Sequence, residues 1–262
     1  MNRAALVTGA TRSRGIAAAV ARALARQGWS VATTGWRRYD AGERWGSRHE
    51  EATALVEELR GVGVAAGFHE DDLGDPAAPV RILGAAERAV GPLTGLVNVH
   101  THSGTGSLLQ TTPEEFDRHM AVNARGTLLL SAEFVRRFHG EPGSGRIVSF
   151  TSGLPLAGEI AYAASKGAIE WITVCAAAEL APLGITVNAV DPGPTDTGWM
   201  GPGLQARIQA ESPRGRIGRP EDIAALVAFL CSAEAGWVTD QILHCDGGWS
   251  TLRTLRRGRE AI

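Results

Sequence analysis

The chain has 262 residues, 44% of them hydrophobic, and a formal net charge of -2. That supplies apolar material for a substantial core and too little positive charge for a nucleic-acid or anionic-membrane surface. No segment approaches the ~18 unbroken apolar residues of a membrane helix, and the apolar start Ala4 to Val7, followed by Arg12 and Arg14, does not make a secretory signal. Glycine is about 13% of the chain against a usual ~7%, with no Gly-X-Y period, which points to tight turns and close backbone approaches. Cys175, Cys231 and Cys245 form neither a paired framework nor a CxxC ligand set, so buried thiols in a reducing cytoplasm are expected.

Short apolar runs alternate with helical patterns along the chain. Ala4 to Val7 reads as a buried strand, and Ile16 to Gln27 as an alanine-rich helix stopped by Gly28. Ser30 to Thr34 is a second strand, followed by a polar loop from Trp36 to Arg48 and a helix from Glu50 to Arg60. Val64 to His69, a helix over Ala77 to Val90 and a strand at Leu96 to Val99 come next. Thr112 to Phe138 reads as one long helical region opening with Thr112-Pro113-Glu114-Glu115. Arg146 to Phe150 is a strand, Ala161 to Ala181 a helix and Ile185 to Val190 a strand. After an irregular stretch, Pro220 to Ser232 is helical and Gln241 to Cys245 is the last strand. The basic tail Arg253 to Arg259 reads as a solvated end. Strands separated by helices imply βαβ crossovers, hence an α/β class: one doubly wound Rossmann domain over 1–262, about seven parallel strands flanked by helices.

The first strand runs into Thr8-Gly9-Ala10-Thr11-Arg12-Ser13-Arg14-Gly15-Ile16 and then a helix. A dinucleotide site needs glycine where the backbone turns and approaches a pyrophosphate, with a helix N-terminus aimed at the charge. Gly9, Thr11, Arg12, Gly15 and Ile16 are therefore candidate cofactor contacts. After the second strand come Gly35-Trp36-Arg37-Arg38, with no acid until Asp40. A ribose 2′-phosphate calls for arginine there and a free hydroxyl for a carboxylate, so NADP is expected over NAD. Trp36 would lie against the adenine or cap the core.

Among 26 basic residues the chain has a single lysine, Lys166, four positions after Tyr162, one of only two tyrosines. On a helix these two share a face. A tyrosine of pKa ~10 is a poor acid–base group near neutrality unless a cation stabilises its phenolate, and a lysine one turn along can do that. His100 and His102 alternate and would share a face in an extended stretch, but no third ligand accompanies them and no metal is expected.

The Thr8-Gly9 to Gly15 turn, the Tyr162-x-x-x-Lys166 pair and Asp191-Pro192-Gly193-Pro194-Thr195-Asp196-Thr197 resemble the short-chain dehydrogenase/reductases, over nearly the whole chain to Asp246-Gly247-Gly248. In style the sequence is similar to the bacterial 3-oxoacyl-carrier-protein reductase branch. The resemblance implies Tyr162 as proton donor to a carbonyl, and Lys166 lowering its pKa and holding the nicotinamide ribose. It further implies Ser152 bonding the substrate oxygen and Asn123 anchoring a proton-supplying water chain. Asp72 and Leu73 would face the adenine, Asn98 would sit beside the cofactor, and Pro192, Gly193, Thr195 and Thr197 would hold the carboxamide.

Three departures stand out. The glycine-rich turn either carries Ser13 in place of a glycine or is lengthened by two residues with Ala17 in place of the last glycine; the longer turn is preferred, because Gly15-Ile16-Ala17 then starts the helix. Asn98-Val99-His100-Thr101 replaces the usual Asn-Asn-Ala-Gly. Ser152 lies ten residues before Tyr162, closer than usual; Ser149 would restore the spacing but lies inside the strand, so Ser152 is preferred and a shortened loop Gly153 to Ile160 is inferred. The reading is an NADP(H)-dependent enzyme interconverting a ketone and a secondary alcohol, acting on a small molecule. The short Tyr–Lys gap argues against enone reduction. A cofactor-binding sensor or scaffold, and a lyase or cyclase reusing the site, are the alternatives. Gly198 to Ser212, with Trp199, Met200, Leu204 and Ile208, reads as a substrate lid or a surface helix. The resemblance also implies a homotetramer, or a homodimer, through the helices at Thr112–Phe138 and Ala161–Ala181.

Overall fold

The computed structural model describes residues 3–46, 48–153 and 157–251. The tail at 253–259 and part of the inferred loop at 153–160 lie outside them. Seven strands form one parallel sheet: β1 (Ala4–Thr8), β2 (Ser30–Gly35), β3 (Ala66–Glu70), β4 (Gly95–Asn98), β5 (Gly145–Phe150), β6 (Ile185–Asp191) and β7 (Gln241–His244). Their spatial order is β3-β2-β1-β4-β5-β6-β7. The order reverses between β1 and β4, which leaves a crevice beyond the carboxyl ends of those two strands. Register aligns Leu6 with Leu96 and Val97 with Val148, so Thr8, Asn98 and Phe150 all end on that edge.

The strands are continuous apolar runs because helices cover both faces. On one face, α1 (Ile16–Arg26) and α9 (Pro220–Leu230) bury Val20, Leu24, Ile223 and Val227, while α3 (His49–Gly61) adds Leu55 and Leu59. Alanines at 17, 18, 19 and 21 bring α1 close to the sheet and to α9. On the other face, α4 (Ala78–Val90), α6 (Gly126–Arg137) and α7 (Ile160–Leu180) bury Ile82, Leu83, Leu130, Phe134 and Ala177. Burying a side chain of that size is worth about 1.5–3 kcal/mol, which makes these two layers the main source of stability.

The polar loop expected at Trp36–Arg48 contains a short helix, α2 (Arg37–Gly42), which Asp40 anchors by turning inward. The single long helix expected at Thr112–Phe138 is broken: α5 (Pro113–His119) passes through a π-helical stretch, Met120–Arg125, into α6. The irregular stretch after β6 holds α8 (Pro202–Glu211), with Ile208 buried. Of the cysteines only Cys231 is buried; Cys175 is exposed on α7, because the small residues of that helix continue round to its outer side. Among the described residues no helix is long and apolar enough to cross a membrane.

Candidate active site

Thr8 closes the crevice floor. Its hydroxyl accepts from the backbone N–H groups of Val99 and His100 at 3.0 and 3.1 Å, tying the end of β1 to the end of β4. Gly9 follows with φ of +79°, and a Cβ there would press on the His100 backbone at 3.0 Å. The chain then runs through Thr11 and Arg12 to Gly15, which caps α1 in extended conformation, so Ile16 opens the helix as the lengthened turn requires.

His100 fills the space beneath this turn. Its Nε2 lies 3.2 Å from the Val122 carbonyl and therefore carries the proton, leaving Nδ1 to accept from the Thr8 hydroxyl at 2.7 Å. Burial, and then the neighbouring Lys166 charge, push its pKa down to about 3, so it is a neutral cross-link. Where the resemblance has a small residue, this chain has an imidazole fastening β1, β4 and the π-helical stretch.

At the far end of the crevice the chemistry-bearing side chains converge. Tyr162 lies in the first turn of α7, with the Ser152 and Thr101 side chains near enough to its hydroxyl to favour the phenolate. Burial pushes its pKa up to about 12, with the Glu159 charge adding to the shift and the two hydroxyls opposing it. Lys166 is buried one turn on; its Nζ donates to the Phe150 carbonyl at 3.0 Å and stands 5.7 Å from the Tyr162 ring centre. Burial draws the ammonium down to about 8, against the pull of Asp191. The resemblance implies a tyrosine made more acidic by the lysine; here burial is the largest influence on Tyr162 and acts in the opposite direction.

Asn123 sits in the π-helical stretch, wholly buried. Its Oδ1 accepts from the His102 N–H at 2.7 Å, and its Nδ2 donates to the His102 carbonyl and to Ser165 Oγ, both at 2.9 Å. Ser165 in turn donates to the Tyr162 carbonyl at 2.7 Å. Asn123 thus links the segment after β4 to the helix that carries Tyr162 and Lys166. Asn98 does not join this group: its amide turns inward and donates to Ser149 at 3.2 Å.

The other candidate contacts lie along the rest of the crevice, most of them already engaged. Asp72 accepts from the Gly74 N–H and from Arg118, whose guanidinium stacks over Trp36 at 4.9 Å; Leu73 is buried beside them. Arg37 is paired with Glu70, and Arg38 is exposed. Asp40 returns to the glycine-rich turn, accepting from Thr11 and, at 2.8 Å, from Trp45, with Arg12 Nε at 3.4 Å. Gly193 bends at φ of +54°, its N–H held by Asp191; Thr195 donates to the Pro192 carbonyl, and the Thr197 carbonyl accepts from Arg12 at 2.9 Å.

Sequence reasoning missed Thr101, Ser165 and Asp40. Thr101 and Asp40 act across elements and leave no local signal. Ser165 lies between Tyr162 and Lys166 on the same helix, where its spacing to Tyr162 was legible.

A sequence family described as Enoyl-(Acyl carrier protein) reductase matches residues 9–250. This chain belongs to the short-chain dehydrogenase/reductase family. It is 41% identical over 253 residues to an uncharacterized oxidoreductase, YjdA, of Bacillus subtilis, covering 94% of this chain and 96% of that one. A blue fluorescent protein from a metagenomic library, solved in complex with NADPH, superposes with a TM-score of 0.84 at 33% identity, over 95% of this chain and 98% of that one. The landomycin C-6 ketoreductase LanV, with bound NADP and rabelomycin, superposes at 0.80 and 31% identity, over 95% and 96%. As a member of this family the chain is an oxidoreductase built to bind a nicotinamide cofactor.

Proposed function

We propose that this dehydrogenase/reductase uses NADP(H) to interconvert a ketone and a secondary alcohol of a small molecule, working as one dinucleotide-binding and catalytic unit. The observation that carries this reading is the buried phenol of Tyr162 beside the Ser152 and Thr101 side chains, with Lys166 one turn behind. A nicotinamide supplies the hydride when bound. Tyr162, protonated across the physiological range, gives its proton to the carbonyl oxygen, and Ser152 hydrogen-bonds that oxygen. Lys166 holds the ribose side, and Asn123 fixes the backbone through which protons return. Asp72 and Leu73 bound the adenosine side, the end of β4 at Asn98 sits beside the cofactor, and Pro192 to Thr197 bound the nicotinamide.

NADP is favoured by Arg37, Arg38 and Arg12 around the end of β2, and by an Asp40 carboxylate already engaged by Thr11, Trp45 and Arg12. Two structural relatives carry that cofactor by their descriptions. Segment 198–212, centred on α8, serves as the lid. Leu128 on α6 and Trp171 on α7, 47% and 72% exposed, suit these helices to a homo-oligomer of a cytoplasmic enzyme.

The test follows NADPH absorbance against a panel of ketones with the natural protein and Tyr162→Phe. The natural protein should oxidise NADPH, and the variant should keep cofactor binding while losing about 10²–10⁴-fold in rate. A sensor would turn over in neither form. Product formed with NADPH untouched would overturn the reductase reading in favour of lyase or cyclase chemistry.

A further inference from the structure

Beside Tyr162 lies a group of side chains the reductase reading does not use. His102, in the segment after β4, and Glu115 and His119, one turn apart on α5, place one ligand atom each within 4.8 Å of one another. The two imidazole centres are 4.6 Å apart, and His119 meets the Tyr162 ring edge-on at 6.3 Å between centres. His119 is 1% exposed. Its Nδ1 lies 2.9 Å from the Glu115 carbonyl, which can only accept, so Nδ1 carries the proton and Nε2 presents a lone pair. That Nε2 has no hydrogen-bond partner, nor has His102 Nδ1, while His102 Nε2 stands 3.7 Å and His119 Nδ1 3.4 Å from the same Glu115 oxygen. Two imidazoles facing one carboxylate oxygen, with the buried His119 Nε2 left without a partner, are a site short of its ligand.

We propose that His102, Glu115 and His119 bind a divalent transition cation of the Zn2+ class. The donor set selects the kind of ion: two imidazoles and one carboxylate suit borderline-soft cations, whereas an anion would be repelled by Glu115. The supporting shell is in place. A backbone carbonyl orients His119, as is usual for a metal-bound imidazole. Asn123 grips the His102 backbone on both sides, at its N–H and its carbonyl. Thr112 caps α5 by accepting from the Glu115 N–H at 3.2 Å, fixing where that side chain starts. Gly104 lets the backbone run against the cluster, since a Cβ there would collide with Glu115 Oε1 and approach His119 Cε1 at 3.1 Å. The Glu115 side chain is 43% exposed and its Oε1 already faces both imidazoles, from where the ligands would contract towards metal–ligand distances of about 2.0–2.2 Å. Three protein ligands leave a position for water or a substrate oxygen next to Tyr162. The second such grouping among the described residues, Asp191, His244 and Asp246, is weaker: its carboxylates already accept from His244, Gly193, Gly248 and Ser250.

The experiment needs neither cofactor nor ketone, so its failure leaves the reductase reading standing. Chelator-stripped full-length protein is dialysed against Zn2+ and Co2+, with elemental analysis for stoichiometry and visible d–d absorption of Co2+ for geometry. A single equivalent per chain with a low-coordinate Co2+ spectrum is expected. His119→Ala and Glu115→Gln should each weaken uptake by at least the ~10–100-fold seen when supporting partners are lost. His244→Ala should leave it unchanged. Should His119→Ala fail to fold by circular dichroism, Glu115→Gln, which alters a half-exposed side chain, decides alone. No uptake at micromolar ion, uptake undiminished in Glu115→Gln, or uptake lost in His244→Ala would overturn the site.

Discussion

At the end of the crevice beside α7, polar groups are closed upon one another: Tyr162 with Ser152 and Thr101, Asn123 with His102 and Ser165, Lys166 with the Phe150 carbonyl. At the glycine-rich end the side chains are instead arginines paired with acids: Arg12 with Asp40, Arg14 with Asp196, Arg37 with Glu70. The first set is mostly buried and neutral except for one ammonium; the second is partly exposed and ionic. A buried hydrogen-bonded set positions groups before a ligand arrives, which suits proton transfer. Arg14–Asp196 and Arg37–Glu70 are the more exposed pairs, and exposed pairs are worth only ~0–1 kcal/mol, so a phosphate can take either arginine from its carboxylate at little cost.

Substitutions at the closed end should therefore cost most. Lys166→Arg keeps a positive charge but replaces a compact ammonium with a planar fork that cannot reach the Phe150 carbonyl in the same space. Ketone reduction should fall by about 10²–10⁴-fold, read as kcat with saturating NADPH. Near-normal turnover would mean the buried geometry is not what sets the rate.

At the ionic end the effect should be smaller and confined to binding. Replacing Arg37 and Arg38 together by alanine should weaken NADPH by about 10- to 100-fold, as expected for a lost charge-assisted hydrogen bond, and leave NADH nearly unchanged. Calorimetric titration of both cofactors checks this. Equal affinity of the natural protein for the two would remove the phosphate role from this end.

The mildest difference is in pH response. Lys166, drawn down to about 8 by burial, loses its charge at a lower pH than an ordinary lysine, while Tyr162 keeps its proton up to about 12. Below about 8 the ammonium is present and kcat/KM for NADPH should be level; above it the value should decline as the charge is lost. A limb near the ordinary lysine value of ~10.4 would separate the decline from the burial of Lys166.

Much of the fold was legible because it rests on local patterns. Strands such as Leu96-Val97 and helices such as Ile16 to Arg26 carry their burial in their own composition, and Tyr162 and Lys166 carry theirs in a four-residue spacing. What escaped depends on contacts between distant segments. The polarity of Trp36–Arg48 hides α2, since its anchor is a carboxylate reaching back to Thr11. The two histidines noted in sequence part company in the fold: His100 is consumed by Thr8 and Val122, and His102 finds its neighbours on α5. Glu115 and His119, four apart on one helix, were a readable half of that cluster.

The π-helical stretch has a consequence for the long helix that contains it. Such a stretch holds one residue more than an α-helical turn, and each residue of an α-helix advances the azimuth by about 100°. Downstream, Leu130 and Phe134 of α6 point into the core. Were Thr112 to Phe138 a single α-helix, that orientation would fix the azimuth upstream as well, and the face bearing Glu115 and His119 would be turned about 100° away from His102. The extra residue acts as a phase shifter, letting one stretch of chain pack a hydrophobic layer in one direction and present imidazole and carboxylate in another.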